Sequence, residues 1–244
     1  MSRRAHATVT CLALIGLALT LASCTADSAE REYLVALEGE ETDMGREGQI
    51  AHLDRAIRLA PDRARYYETR AIYEIDLGNF EAARQDLDRT IALAARPYVR
   101  YLRGLVLCQM GRFAESLQDF DAAIAEQPEN SQFYRGRSLA RVTLGLIEEG
   151  MADAEALVAL APQWAPSHYV HGVALAAAGR DEDAVAAFDL ALAQQPELVY
   201  PLEARAASHE RLGQVASALA DRAEAADKAR PGRGCGYCLD PYRY

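Results

Sequence analysis

Apolar residues recur along much of this chain at the spacing of one helical face. Phe113, Leu117, Phe120 and Ile124 follow the pattern, with mostly polar or small residues between them, so a helix is predicted over Phe113 to Glu126. A stretch of similar character, Tyr98 to Met110, precedes it. The same two-part unit returns as Pro166 to Ala178 followed by Glu182 to Gln194. No segment reads as a run of strand, and the expected fold class is all-α.

Two kinds of punctuation keep time with these stretches. Gly45, Gly78, Gly111, Gly145, Gly179 and Gly213 stand 33, 33, 34, 34 and 34 residues apart. Pro61, Pro97, Pro128, Pro162, Pro196 and Pro231 form a second series. The glycine is expected to end the first helix of each unit, because positive φ carries no Cβ penalty there. The proline is expected to mark the stop of the second. Self-similarity at this period is the signature of a stacked helical repeat.

The unit resembles the tetratricopeptide repeat. The family's pattern of small residues at positions 8 and 20, large apolar ones near 4, 17 and 24, and Pro at 32 is carried in 97–130 by Gly104, Gly111, Phe113, Phe120, Ala123 and Pro128. In 165–198 it is carried by Gly172, Gly179, Ala184, Phe188, Ala191 and Pro196. In 64–97 it falls on Tyr67, Ala71, Gly78, Phe80, Ala83 and Leu87, with two extra residues before Pro97. Unit 131–164 departs more, with Gly150 at position 20. The last, from Val199, keeps Ala206, Gly213 and Ala218 but has Arg222 at an apolar position. A polar outer face there suits a terminal cap. The first unit is degenerate, and Glu30–Asp43 reads as acidic and patternless. The resemblance implies an α-solenoid, a right-handed superhelix of about five to six helix-turn-helix units over 31–231.

The ends differ in kind. Arg3 and Arg4 followed by the apolar run Cys11 to Leu21 read as a secretory signal peptide over 1–23. Its ending, Leu21-Ala22-Ser23-Cys24, resembles a bacterial lipobox. That resemblance implies diacylglycerol on Cys24, a short linker over 24–30, and anchoring in a membrane. Thr25 in place of Asp favours, by likeness to Gram-negative lipoproteins, the outer membrane facing the periplasm. Residues 232–244 break the repeat as a Gly- and Cys-containing tail.

Half the residues are apolar and a quarter charged, as in ordinary globular chains, and the formal net charge is −10. With no basic cluster, nucleic acid is not an expected partner. Cys235 and Cys238 form a Cys-x-x-Cys in that tail. A local disulfide, a partner-directed thiol role and a metal site are its three readings, though a zinc site lacks a second Cys or His pair nearby. Cys108 reads as a small buried hydrophobe. Arg70, Arg103, Arg137 and Arg205 share one position of the unit, with His171 in the fifth. Asp88, Asp121, Glu155 and Asp189 share another, so a repeated ion pair within or between units is expected. His168 and His171, three apart on one helix, make a weak metal candidate. No phosphate loop, G-x-S-x-G or H-E-x-x-H is present. The chain is not expected to be an enzyme, and neither cofactor nor metal is expected.

In tetratricopeptide arrays the first helices line a concave groove. The resemblance places Arg65, Glu68, Tyr98, Tyr101, Gln109, Gln132, Arg135, Tyr169 and Glu203 there, types that include the tyrosines and arginines enriched at binding hot spots. The carboxylate clamp of some members needs lysines that this chain lacks, Lys228 being its one lysine. The implied function is a membrane-anchored scaffold or adaptor holding a protein or peptide, as in type IV pilotins and other envelope lipoproteins. A thiol–disulfide accessory protein using Cys235 and Cys238 is the alternative.

Overall fold

The computed structural model describes residues 27–39 and 44–229. Every regular element among them is a helix: α1 (27–38), α2 (Arg46–Leu59), α3 (Ala64–Asp76), α4 (Phe80–Leu93), α5 (Pro97–Gln109), α6 (Phe113–Glu126), α7 (Ser131–Thr143), α8 (Ile147–Leu160), α9 (Ala165–Ala177), α10 (Asp181–Gln194), α11 (Tyr200–Arg211) and α12 (Val215–Lys228). The chain falls into two compact units, divided between Ala95 and Arg96. Among the described residues, unit 1 holds α1–α4 and unit 2 holds α5–α12.

The turn inside a pair has one design. Gly78, Gly111, Gly145, Gly179 and Gly213 all take φ between 73° and 78°, the left-handed conformation that a Cβ disfavours. The residue after each glycine sends its N–H back to the helix: Arg112 to Leu107 at 2.8 Å, Arg180 to Leu175 at 2.9 Å, Gln214 to His209 at 2.8 Å. Orphan carbonyls of the last turn are thereby satisfied. Gly45 departs from the expected series. It has φ −62° and is the N-cap of α2, and the helix before it ends at residue 38. Thus the segment read as patternless contributes α1, which begins within the stretch expected to be linker. Pro61, Pro128, Pro162 and Pro196 each lie two residues past a helix end. Pro97 instead opens α5, where its fixed φ suits the first turn.

Packing within unit 2 follows the small residues. Phe120 is fully buried and its ring lies against the backbone of two helices at once. A Cβ on Gly104 of α5 would stand 2.6 Å from Phe120 Cε1, and one on Gly136 of α7 would stand 2.8 Å from it. Phe188 uses Gly172 in the same way. Cys108 is buried, as expected, and its Sγ donates to Ser116 Oγ at 3.2 Å. In unit 1, α1 joins the core through Ala29, Tyr33 and Ala36, against Leu53, Ala56, Tyr66 and Tyr73.

The recurrent arginines form a ladder. Arg70 makes paired hydrogen bonds to Asp86, 16 residues ahead in its own helix pair, and a third to Asp54, 16 residues behind in the preceding pair. Arg137 repeats this with Asp153 and Asp121, and Arg205 with Asp221 and Asp189. Arg103 holds Asp119 with the same bidentate geometry. Of the acids singled out from sequence, Asp121 and Asp189 bridge from one pair to the next, whereas Asp88 pairs with Arg84 of its own helix. Sequence reasoning missed the second set, Asp86, Asp119, Asp153 and Asp221, which are the buried ones. A planar fork with two parallel N–H···O bonds fixes orientation as well as charge.

Candidate functional site

The first helices of unit 2, α5, α7, α9 and α11, pack in succession. Seven of the nine groove candidates lie on this row. Tyr98, half exposed, sits with its ring 6.1 Å from that of Tyr101. Tyr101 itself is only 2% exposed and packs on Phe120 and Phe133, with ring centroids 5.9 and 5.2 Å away. It belongs to the core, contrary to the expectation that it offers its ring to a partner. Its hydroxyl engages a second candidate, the partly buried Arg135, whose Nη2 donates to it at 3.2 Å. The Arg135 guanidinium also lies 5.3 Å over the Trp164 ring, a favourable placement of a cation on an aromatic face. Arg135 is thus held from two sides and presented in a set direction.

Further along, Tyr169 meets Tyr200 edge-on at 4.5 Å and Phe188 at 6.1 Å. Gln132 is exposed near the start of α7, and Gln109 closes α5. Glu203 lines a cleft of about 370 Å³ with Arg222, Ala225, Ala226 and Ala229. A depression of about 630 Å³ lies at the α6–α7 turn, lined by Gln127, Pro128, Glu129, Asn130 and Ser131. None of the candidates lines it, so the larger volume does not mark the aromatic row.

Arg65 and Glu68 fall on α3 of unit 1. Arg65 is engaged by α1: it pairs with Glu30 and lies over the rings of Tyr33 and Tyr66, 5.0 and 5.3 Å away. Tyr66 Oη donates to the same Glu30 carboxylate at 3.0 Å. That clasp gives Arg65 a structural task. Trp164 and Tyr200 were missed from sequence. Tyr200 occupies a groove-lining position of its unit and was findable. Trp164 is the N-cap of α9 and lies outside the groove spacing, its one signal being that it is the chain's single tryptophan.

Electrostatics are set by the ladder. The Asp86 hydrogen bonds raise the Arg70 pKa against the opposing effect of burial. The hydrogen bond from Arg211 lowers the Asp181 pKa. Burial lowers that of His171. His168 does not join His171 in a metal set; its Nε2 hydrogen-bonds the Pro162 carbonyl at 2.9 Å. No group of three metal-ligating side chains occurs among the described residues, and no helix among them is long and apolar enough to cross a membrane. Cys24, Cys235 and Cys238 lie outside the described residues.

A tetratricopeptide repeat family model matches residues 101–165, the span from α5 to the start of α9. The mitochondrial import receptor subunit TOM70 of Rattus norvegicus is 34% identical over 101 residues, 39% of this chain and 17% of that protein. The Hsp70-Hsp90 organizing protein of Triticum aestivum is 35% identical over 94 residues, 38% of this chain and 16% of that one. The matches thus span about a sixth of these relatives' length. Among solved structures, the type IV pilus biogenesis factor PilW has TM-score 0.71 at 19% identity, covering 81% of this chain and 91% of its own. A repeat protein from Parabacteroides merdae has TM-score 0.74 at 15% identity, covering 84% and 81%. Residues 101–165 thus match the tetratricopeptide repeat family model, and the helix pairs share the all-α solenoid fold of these repeat proteins.

Proposed function

We propose that this chain is a binding scaffold that holds a protein or peptide partner against the first-helix face of unit 2, and that it works tethered to a membrane by lipid on Cys24. The single observation that carries the binding reading is the fixed Arg135, clamped between the Tyr101 hydroxyl and the Trp164 ring. A pre-oriented arginine loses little freedom on binding, which favours affinity, and the half-exposed Tyr98 stands on the same row of first helices. The proposal rests on binding alone and includes no catalysis. The names of TOM70 as an import receptor and PilW as a pilus biogenesis factor support work on other proteins. The lipobox-like Leu21–Cys24 supports the tether, and Thr25 supports the outer membrane, facing the periplasm, with a role in assembling an envelope complex.

Cross-linking in intact cells tests both halves. The full chain is compared with Cys24→Ser and with Tyr98→Ala/Arg135→Ala. A specific protein lost by roughly tenfold in the double variant, for about 1.4 kcal/mol of binding, is the expected result. Undiminished capture by a double variant of unchanged helix content would remove this face from the proposal. Equal capture by the Cys24→Ser form would remove the need for a tether.

A further inference from the structure

The arginine ladder has one gap. In the α9–α10 pair the ladder position is His171, and 16 residues ahead stands Ala187 in place of the aspartate found in the other pairs of unit 2. Glu155, 16 residues behind on α8, remains. His171 is partly buried and forms no ion pair among the described residues. The charged groups that bear on it are Glu155 of α8, His168 of its own helix, Arg180 of the turn before α10, and Asp183 of α10. Arg180 and Asp183 pair with each other. On the flanking first helices, Arg137 and Arg205 are each already held by two carboxylates. One carboxylate, Glu155, is therefore left to offset a proton on His171, where Arg137 and Arg205 each have two.

We propose that the α8–α9 junction is an acid-sensitive joint: His171 packs there as a neutral imidazole, and protonating it loosens α8 from the α9–α10 pair. Burial lowers the His171 pKa and Glu155 only partly opposes it. The opened junction, with its imidazole in water, takes the proton more readily than the closed one. Closure is therefore at full strength above the ordinary histidine range and weakens as pH falls through it.

Amide hydrogen exchange on the full chain between about pH 7.5 and pH 5, corrected for the intrinsic chemical rate, reads this directly. The opening constant of α8 and α9 amides is expected to rise as pH falls, by at most about tenfold per pH unit because one proton is involved. Amides at the α6–α7 junction, where Arg137 stays charged, are expected not to follow. His171→Gln is expected to abolish the pH dependence at α8–α9. His171→Arg with Ala187→Asp, which rebuilds the rung, is expected to abolish it and also to slow exchange at pH 7.5. A flat profile at α8–α9, an equal rise across unit 2, or a rise that persists in His171→Gln would each overturn the proposal.

Discussion

At the scale of the residue, Phe120 of unit 2 is wedged between two glycines, Gly104 and Gly136. A ring cannot yield as the end of a flexible side chain does, so an added methyl must move a helix. Gly136→Ala is expected to cost about 1–3 kcal/mol through overpacking. Phe120→Ala, which empties the same site, is expected to cost about 3–5 kcal/mol. Chemical denaturation of both variants checks the order; a neutral Gly136→Ala would show that α5 and α7 separate freely. Phe120 and Gly104 were legible in the sequence because they occupy repeat positions. Gly136 lies outside the family's small positions, and only the ring packed against it reveals its role. Tyr101 was misread for a related reason. Spacing assigns a residue to a face, but burial on that face depends on what the next helix brings, here Phe133.

At the scale of the element, charge joins one helix to the next. Asp153 is served by Arg137 and also by Arg141 at 2.7 Å, whereas Asp86 is held by Arg70. Removing one partner of a buried pair is costly chiefly because it strands the other charge. Arg70→Met is therefore expected to cost about 2–4 kcal/mol, and Arg137→Met about half of that because Arg141 remains. Equal losses in thermal melts would contradict this account. The link from α10 to α11 adds a pH signature. Arg211 lowers the Asp181 pKa in the folded state. The stabilisation it contributes is then complete above the ordinary carboxylate range and lost as pH falls through the lowered folded value. Asp181→Asn is expected to be less stable at neutral pH and to show a shallower loss in acid, a slope that pH-dependent denaturation measures. The ladder was half legible: both acid series recur in the sequence, but that Asp86, Asp119, Asp153 and Asp221 are the buried partners depends on packing that spacing alone does not show.

At the scale of the whole molecule, the glycine series counted the helix pairs well because one turn geometry recurs at five places. The count failed at the start. Gly45 is an N-cap and α1 reaches the core with small residues, Ala29 and Ala36, rather than a large apolar stripe. Stability in such an array is close to a sum of repeat and neighbour terms, and a lone pair of short helices does not bury enough to persist in water. The cores of unit 2 around Phe120, Phe188 and Leu202 are built wholly from its own residues, as are those of unit 1. A fragment spanning 96–229 is therefore expected to fold alone with a cooperative thermal transition. A fragment spanning 131–229, one pair shorter, is expected to melt at lower temperature, and one spanning 165–229, with two pairs, to be largely unfolded. Circular dichroism melts of the three rank them directly. A 96–229 fragment without a cooperative transition would mean that unit 2 draws its stability from outside its own residues, and the pairwise account of this chain would have to be replaced.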